Sequence, residues 1–304
     1  MLEGGCRLRV TFVVQAIAVA ALASSAVAGE KQESGMRFYE RFFSLLMNNS
    51  PELARYHEPQ ELELSRRLGL EYEGEQNKFM IGYGFEESAR RLFREEGLRY
   101  TLSAESLDAS HIQLTAEVPE LNLKKRFVFE GDKLISPVNY YARSWPRLWG
   151  KYFEFWVSDT TMFHRAAIEE LDRFVDRMAH LLEFRPEDLS LLQEKKIIYV
   201  FCKDEEEIER LTGFRSRGMY LLPYDYVVTT YPCHFHEVLH LLVNFKLKKL
   251  PLYTHPLLQE GIATAFGGRG GIAASTLLQG GAFLVSSSVV DVKDLLVVEQ
   301  YRNT

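Results

Sequence analysis

The sequence is poor in cysteine. Of its 304 residues only three are cysteines: Cys6, Cys202 and Cys233. No Cys-x-x-Cys pair occurs, so the thiolate zinc sites and redox motifs built on that spacing are excluded. In an oxidising compartment, Cys202 and Cys233 could form one disulfide, and the alternative is two buried thiols.

The sequence also lacks an excess of positive charge. It contains 36 lysine and arginine residues against 42 aspartate and glutamate residues, which gives a formal net charge of −6 at pH 7. Domains that bind nucleic acid use basic surfaces to contact the phosphates. We therefore expect no nucleic-acid partner.

Long apolar runs are absent except near the N-terminus. There, Arg7 and Arg9 precede the run VTFVVQAIAVAALA, and the small residues that follow place Ala26 and Ala28 in an A-x-A arrangement. This pattern predicts a secretory signal peptide at residues 1–28. A retained signal anchor is the alternative, but the run is shorter than the roughly 20 residues that span a bilayer. We expect an exported protein, periplasmic or secreted, with no stable membrane span after cleavage.

Residues 36–137 predict a small α+β domain. Apolar residues at helical spacing indicate a helix over 36–48, and a serine followed by proline indicates the start of a second helix over 51–68. From residue 98 the period changes to two, with a hairpin turn at Gly131-Asp132. Helices followed by a meander are typical of α+β folds, and the cone-shaped sheet of nuclear-transport-factor-like folds is one topology of this kind.

After a predicted connection at 138–150, residues 150–304 predict a second α+β region. The strands YFEFWVS and KIIYVFC lie on either side of an amphipathic helix predicted over 160–183. The charged segment DEEEIERLTG indicates a further helical turn, and GMYLLPYDYVVTTY indicates a hairpin. The next segment, HFHEVLHLLVNF at residues 234–245, reads as a buried helix.

That helix contains three of the eight histidines of the chain. His236 and His240 are separated by four positions, so both rings leave the same helical face and can reach one zinc ion at about 2.0–2.1 Å. Glu237 lies about 100° around the helix, beside such an ion but not on the ligand face. The alternative interpretation is a set of core histidines with satisfied hydrogen bonds.

A third candidate ligand follows on the next predicted helix. Glu260 lies in HPLLQEGIATAF, with Pro256 suited to the first turn and Gly267-Gly268 to the end of that helix. A helix–turn–helix would bring Glu260 back alongside the two histidines. Two histidines and one carboxylate leave one zinc coordination position open, as in catalytic rather than structural sites.

The segment HEVLH followed by LLQEGIATAF resembles the gluzincin metallopeptidases, the thermolysin- and aminopeptidase-like peptidase MA group. The resemblance covers residues 152–270 or so. Matches to the family pattern around its third ligand are Leu258, Glu260, Gly261, Ala263 and Thr264, whereas Leu257 and Gln259 differ. Nineteen residues separate the second histidine from the glutamate, one more than the family commonly has.

The resemblance implies a zincin-like metallopeptidase domain with Zn²⁺ as cofactor. It implies that His236, His240 and Glu260 hold the metal and that Glu237 acts as general base and then as general acid. It also implies that Thr264 supports a ligand histidine; a helix-interior threonine bonded to its own backbone is the alternative. In the family, an edge strand before this helix holds extended substrate by backbone pairing.

Gluzincins also carry a tyrosine or histidine that stabilises the developing oxyanion, well beyond the third ligand. After Glu260 the sequence has no histidine and one tyrosine, Tyr301. Tyr231, Tyr220 and Tyr226 on the predicted hairpin are candidate substitutes. Gluzincins continue with several more helices, so we expect this domain to be short or truncated at its C-terminus.

Three further polar residues flank the motif. His234 is expected to point off the ligand face, at the rim or at the helix start, and His255 is ambiguous in the same way. Arg269, within GGRGG, either binds a substrate carboxylate or is a solvated loop arginine, and the second interpretation is the simpler one.

These patterns favour an exported zinc metallopeptidase that hydrolyses peptide or protein substrates. In that hypothesis a zinc-activated water attacks the scissile carbonyl and Glu237 is the general base. The alternative is a non-catalytic, zinc-stabilised periplasmic binding or interaction protein, in which the N-terminal domain captures the ligand.

Overall fold

The computed structural model describes residues 35–69, 81–82, 90–91, 94–95, 97, 99–121, 123–248 and 255–295. The fold is a mixture of helices and strands with two separate β-sheets, consistent with the expected α+β class. The predicted signal peptide and Tyr301 lie outside the described residues.

The N-terminal region opens with helix α1, which covers residues 35–47. The single helix predicted over 51–68 is wrong, because the chain forms a 3-10 helix at Pro51–Tyr56 and a separate helix α2 at Pro59–Ser65. Proline disfavours helical geometry in the residue before it, and Glu58 is accordingly extended, with φ −79° and ψ 127°.

The first sheet is a four-stranded antiparallel meander in the order β1-β2-β3-β4. Its strands are Thr101–Ser106, His111–Val118, Leu123–Glu130 and Lys133–Ile135. The predicted turn between the last two strands is confirmed, with Gly131 at a φ of 60°. Helix α1 covers one face, where Phe42 packs edge-on against Phe127 and Phe129 with centroids 5.1 and 5.2 Å away.

The second sheet has the order β5-β6-β7-β9-β8. Its strands are Arg147–Trp149, Phe153–Val157, Ile197–Phe201, Gly218–Leu221 and Tyr226–Thr229, numbered β5 to β9 along the chain. Strands β6, β7 and β9 are parallel, whereas the edge strands β5 and β8 are antiparallel to their neighbours. Residues 138–150 are therefore more than the predicted connection, since they contain most of helix α3, Pro137–Tyr141, as well as β5.

Three helices connect these strands: α4 at Arg165–Leu181, α5 at Pro186–Lys195 and α6 at Glu205–Thr212. The helix predicted over 160–183 thus starts later, because Asp159 forms a turn in which its carboxylate accepts the Thr161 N–H at 2.8 Å. Helix α6 ends where predicted, with Gly213 in the left-handed conformation.

Both faces of the second sheet are buried. Side chains alternate along β6, so Phe153 and Phe155 pack with α4 on one face while Trp156 packs on the other, which α3 and α6 cover. Parallel strands that are buried on both faces have nearly continuous apolar sequences, and β6, β7 and β9 have such sequences.

In the described residues after the second sheet, the chain forms α7 at Phe235–Leu247, α8 at Pro256–Gly267, α9 at Ala274–Ser286 and α10 at Val292–Leu295. Within the described parts of the chain, no helix has both the length and the apolar character needed to cross a membrane.

Candidate metal centre

Helix α7 lies against the second sheet, directly after β9. Val238, Leu241 and Leu242 are fully buried in the same core as α4, and Phe235 stacks on Phe174 with ring centroids 4.7 Å apart. This packing confirms that the helix carrying the histidines is central and buried.

Helix α8 packs alongside α7 and carries the third candidate ligand. Its first helical residue is Pro256, and the ring of His255 caps the helix by accepting the Leu257 N–H through Nδ1 at 3.1 Å. The ambiguous His255 therefore serves a structural role at the helix start. This geometry brings Glu260 to the face of α7 that carries the histidines.

The three predicted ligands converge. Nε2 of His236 lies 3.2 Å from Nε2 of His240. The Glu260 carboxylate lies 3.3 Å from Nε2 of His236 and 3.5 Å from Nε2 of His240. One ligand atom from each residue falls within 4.8 Å of the others, which is close enough for the three to share one ion.

The hydrogen bonding of His236 fits a metal at this position. Its Nδ1 lies 2.8 Å from the carbonyl oxygen of Gly268, and a carbonyl can only accept, so Nδ1 carries the proton. In the neutral ring Nε2 then has a lone pair, which faces the carboxylate of Glu260. Two acceptors at that distance repel each other unless a cation lies between them, either a proton or a metal ion. In metal-bound histidines, the ring nitrogen that does not bind the metal usually donates its N–H to a group such as a backbone carbonyl.

The pKa values describe the metal-free centre. Burial lowers the pKa of His236, but the hydrogen bonds with Glu260 and Gly268 outweigh burial and the pKa of His236 is raised. The hydrogen bond from His236 lowers the pKa of Glu260, against the effect of burial. Burial lowers the pKa of His240 to about 4. These opposite shifts favour a proton on His236 facing an ionised Glu260.

Glu237 lies beside this cluster and is not one of its ligands. Its carboxylate accepts the backbone N–H of Tyr220 at 2.8 Å, which ties it to the edge strand β8. Burial raises the pKa of Glu237. The side chain is thus held in position, with a raised proton affinity, next to the three ligands.

His234 is the N-cap residue of α7, as the helix-start interpretation expects. Its Nδ1 lies 2.8 Å from the hydroxyl of Thr229, and its Nε2 lies 4.0 Å from a carboxylate oxygen of Glu237. Burial lowers the pKa of His234 to about 4. The rim interpretation of His234 did not predict that its ring would lie this close to Glu237.

The candidate oxyanion groups differ in their surroundings. The hydroxyl of Tyr220 bonds to Asp225 and that of Tyr226 to Asn139, both away from the cluster. Tyr231 lies closer, with its ring centroid 5.0 Å from that of His234.

Thr264 lies on α8, one turn beyond Glu260. In the described part of the chain its hydroxyl makes no hydrogen bond with either histidine. The group that holds His236 is the Gly268 carbonyl.

Sequence reasoning missed two features of this centre. The first is the Gly268 carbonyl, because a backbone acceptor leaves no signal in residue identities. The second is the ion pair of Arg269 with Glu260, whose charged atoms lie 3.6 Å apart; Arg269 itself was a candidate, and its side chain is 64% exposed, as a solvated loop arginine would be. The glycines of GGRGG indicate an unusual loop conformation, but they do not indicate which element the loop packs against.

Of the three cysteines, Cys202 and Cys233 lie in the described residues, where they take no part in the centre and form no disulfide. Cys202 is buried at the end of β7, and Cys233 is partly buried beside α4. Burial raises the pKa of Cys233 to about 12, so this thiol stays protonated at neutral pH. The disulfide alternative is therefore not realised in this structure.

Comparison with family models, with curated proteins and with solved structures gives no match for this chain. Function is therefore argued from the geometry of the centre itself. Two neutral imidazoles and a carboxylate can hold a divalent metal with an open position, and a partly buried carboxylate beside them can accept and return a proton.

Proposed function

We propose that the protein is a zinc-dependent metallopeptidase of the gluzincin type. The observation that carries the proposal is the convergence of His236, His240 and Glu260 with a separate, partly buried carboxylate, Glu237, beside them. A purely structural zinc site has no need of the fourth group. In this proposal, residues 150–304 form the zincin-like domain. The nuclear-transport-factor-like topology of residues 36–137 and the export of the chain stay predictions.

The donor set fits zinc, since imidazole nitrogens and a carboxylate oxygen are its common protein ligands. When bound, zinc would act as a Lewis acid that polarises a carbonyl and lowers the pKa of water. Glu237 accepts a proton from the attacking water and returns it to the leaving amine. Its raised pKa suits both steps, because a general base works best when its pKa approaches the working pH.

The edge strand β8 supports a peptide substrate. Its inner side pairs with β9, and the Tyr220 N–H on its outer side points to Glu237. The Tyr220 N–H is used by Glu237, so an extended peptide would pair with the other outward main-chain groups of β8, with its backbone passing the general base. This arrangement favours a peptide over a small compact substrate.

The test compares wild type with Glu237→Gln in zinc-loaded form, using quenched fluorescent peptides and a direct measurement of bound zinc. We expect Glu237→Gln to keep its zinc and to lose about 10²–10⁴ in rate, as enzymes do when a positioned general base is removed. Glu206→Gln removes the same charge from the surface of α6 and should cleave as wild type does.

Cleavage by Glu237→Gln at the wild-type rate would refute the mechanism. A chain that binds zinc but cleaves no peptide would favour the zinc-stabilised binding protein instead.

A further inference from the structure

The glycine-rich segment after α8 packs directly against the start of α7. A Cβ on Gly267 would lie 2.6 Å from the backbone nitrogen of His236, and a Cβ on Gly268 would lie 2.4 Å from the carbonyl oxygen of Ile272. Gly268 also has a φ of 76°, in the region that favours glycine. These two glycines are therefore required for the loop to approach the metal centre this closely.

The next residues form a tight turn that carries Arg269. Arg269 and Ile272 exchange two backbone hydrogen bonds, of 3.1 and 2.9 Å. Between them Gly270 and Gly271 both have positive φ, at 60° and 81°, as a two-residue hairpin turn requires. The backbone under Arg269 is thus fixed by hydrogen bonds at a position next to Glu260.

The charge of Arg269 is unbalanced once a metal is bound. Among the described residues, Glu260 is the carboxylate within salt-bridge distance of Arg269. A divalent ion would neutralise the charges of Glu260 and Glu237, which leaves the guanidinium as one net positive charge at the site. A guanidinium presents five N–H donors in a planar fork that matches a carboxylate.

A cavity of about 220 Å³ lies between this turn and the start of α7. His236 and Arg269 both line this cavity, together with Tyr231, Phe235 and Ile272. A group in this cavity would contact aromatic and aliphatic surface while lying beside both His236 and Arg269.

We infer that Arg269 and this cavity form a subsite for a substrate carboxylate next to the scissile bond. The inference rests on the proposed function and specifies its substrate class. Two kinds of peptide carry such a group: those with a free C-terminal carboxylate, and those with an aspartate or glutamate side chain at this position. The recognition chemistry is the same for both.

The test measures binding of paired peptide hydroxamates to the zinc-loaded protein by calorimetry. The first pair ends in leucine carboxylate or leucine carboxamide; the second is amidated and carries an internal glutamate or glutamine. We expect the carboxylate member of one pair to bind about 10- to 100-fold more tightly, the range of a charge-assisted hydrogen bond. Peptide substrates of the same design should show the same ratio in kcat/KM. The pair that responds identifies the source of the carboxylate.

Arg269→Gln should reduce this ratio to about one, and Arg269→Lys should retain part of it. The ratio within a pair is measured at saturating zinc, so any effect of the variant on metal affinity cancels. Arg41→Gln is the matched control and should keep the wild-type ratio, because Arg41 is 61% exposed against 64% for Arg269 and also pairs with one glutamate.

Equal affinities within both pairs, with zinc bound, would overturn the carboxylate subsite and leave the metallopeptidase proposal standing. A wild-type ratio retained by Arg269→Gln would overturn the assignment of Arg269. A protein that holds no zinc would overturn both proposals.

Discussion

At the scale of single residues, the centre depends on where two protons lie. The Gly268 carbonyl keeps one proton on Nδ1 of His236, and Nε2 of that ring lies 3.3 Å from the Glu260 carboxylate, a contact that raises the pKa of His236. A second proton on Nε2 would occupy the position that a metal would take. Metal binding and protonation of His236 therefore exclude each other.

This competition predicts that zinc affinity falls as the pH is lowered. Because the pKa of His236 is raised, zinc in the proposed site would have to displace a proton from this ring at a higher pH than from an ordinary histidine. In the metal-free protein the protonated pair stabilises the fold below pH 6.5, and this contribution is lost as the pH rises through the raised pKa. Titration with a zinc indicator between pH 5.5 and 8 measures the effect, and an affinity that is constant over that range would contradict it.

Removal of a ligand should cost stability as well as metal. His236→Ala removes the partner of the Gly268 carbonyl, which costs about 1–3 kcal/mol for an unsatisfied buried group, and under the proposed function it should also abolish stabilisation by zinc. His240→Ala and Glu260→Ala should likewise bind little zinc. Thermal unfolding with and without zinc tests this: the zinc-dependent rise in Tm should vanish in the three variants and persist in His180→Ala, an exposed residue of α4.

At the scale of elements, the decisive contact is between the end of α8 and the start of α7. Helix α8 contains two glycines in contrasting places. The Cβ position of Gly267 is blocked by the backbone of α7, whereas that of Gly261 has no atom within 4 Å.

The two glycines of α8 should respond to alanine in opposite directions. Gly261→Ala should stabilise the protein by about 0.5–1 kcal/mol, because alanine loses less backbone entropy in a helix. Gly267→Ala should destabilise it by about 1–3 kcal/mol, as overpacking does, and should weaken zinc binding by displacing Gly268. Urea unfolding gives the stability of both variants and zinc titration gives their zinc affinity. If Gly267→Ala changes neither, α8 does not need to lie this close to the backbone of α7.

At the scale of the whole molecule, partly buried polar contacts join the N-terminal region to the second sheet and its helices. Asn139 on α3 donates to both carboxylate oxygens of Glu61, at 3.0 and 2.9 Å, and accepts the hydroxyl of Tyr226 at 3.2 Å. Arg126 on β3 donates to the Glu209 carbonyl of α6 at 3.1 Å. His57 is buried next to the same junction and lines a cavity there.

Burial of His57 predicts acid destabilisation of the metal-free protein. Burial lowers the pKa of His57 to about 4, so between pH 6.5 and 4 the unfolded chain binds a proton that the folded chain does not, and stability falls as the pH falls. His57→Gln should lose less stability than wild type when urea unfolding is compared at pH 7 and pH 5. His180→Gln, at an exposed position, should behave as wild type. The same loss of unfolding free energy between pH 7 and pH 5 in all three proteins would contradict the prediction.

Much of the candidate site could be predicted from the sequence because its information is local. Four-residue spacing places His236 and His240 on one face of any helix, and the apolar residues around them require that helix to be buried. The proline and glycines that bound α8 indicate its length, and so the return of Glu260. Alternation in β2 and β3, and the turn at Gly131, are readable for the same reason.

Other features were decided by contacts between residues far apart in the chain. Residues 138–150 show no strand signal, yet β5 forms because β6 offers an edge to pair with. Cys202 and Cys233 lie in different surroundings, which no spacing reveals. The Gly268 carbonyl and the guanidinium of Arg269 reach the centre only because α8 packs on α7. Periodicity determines which face a side chain takes on its own element, whereas the partner of that face is set by how the elements pack together.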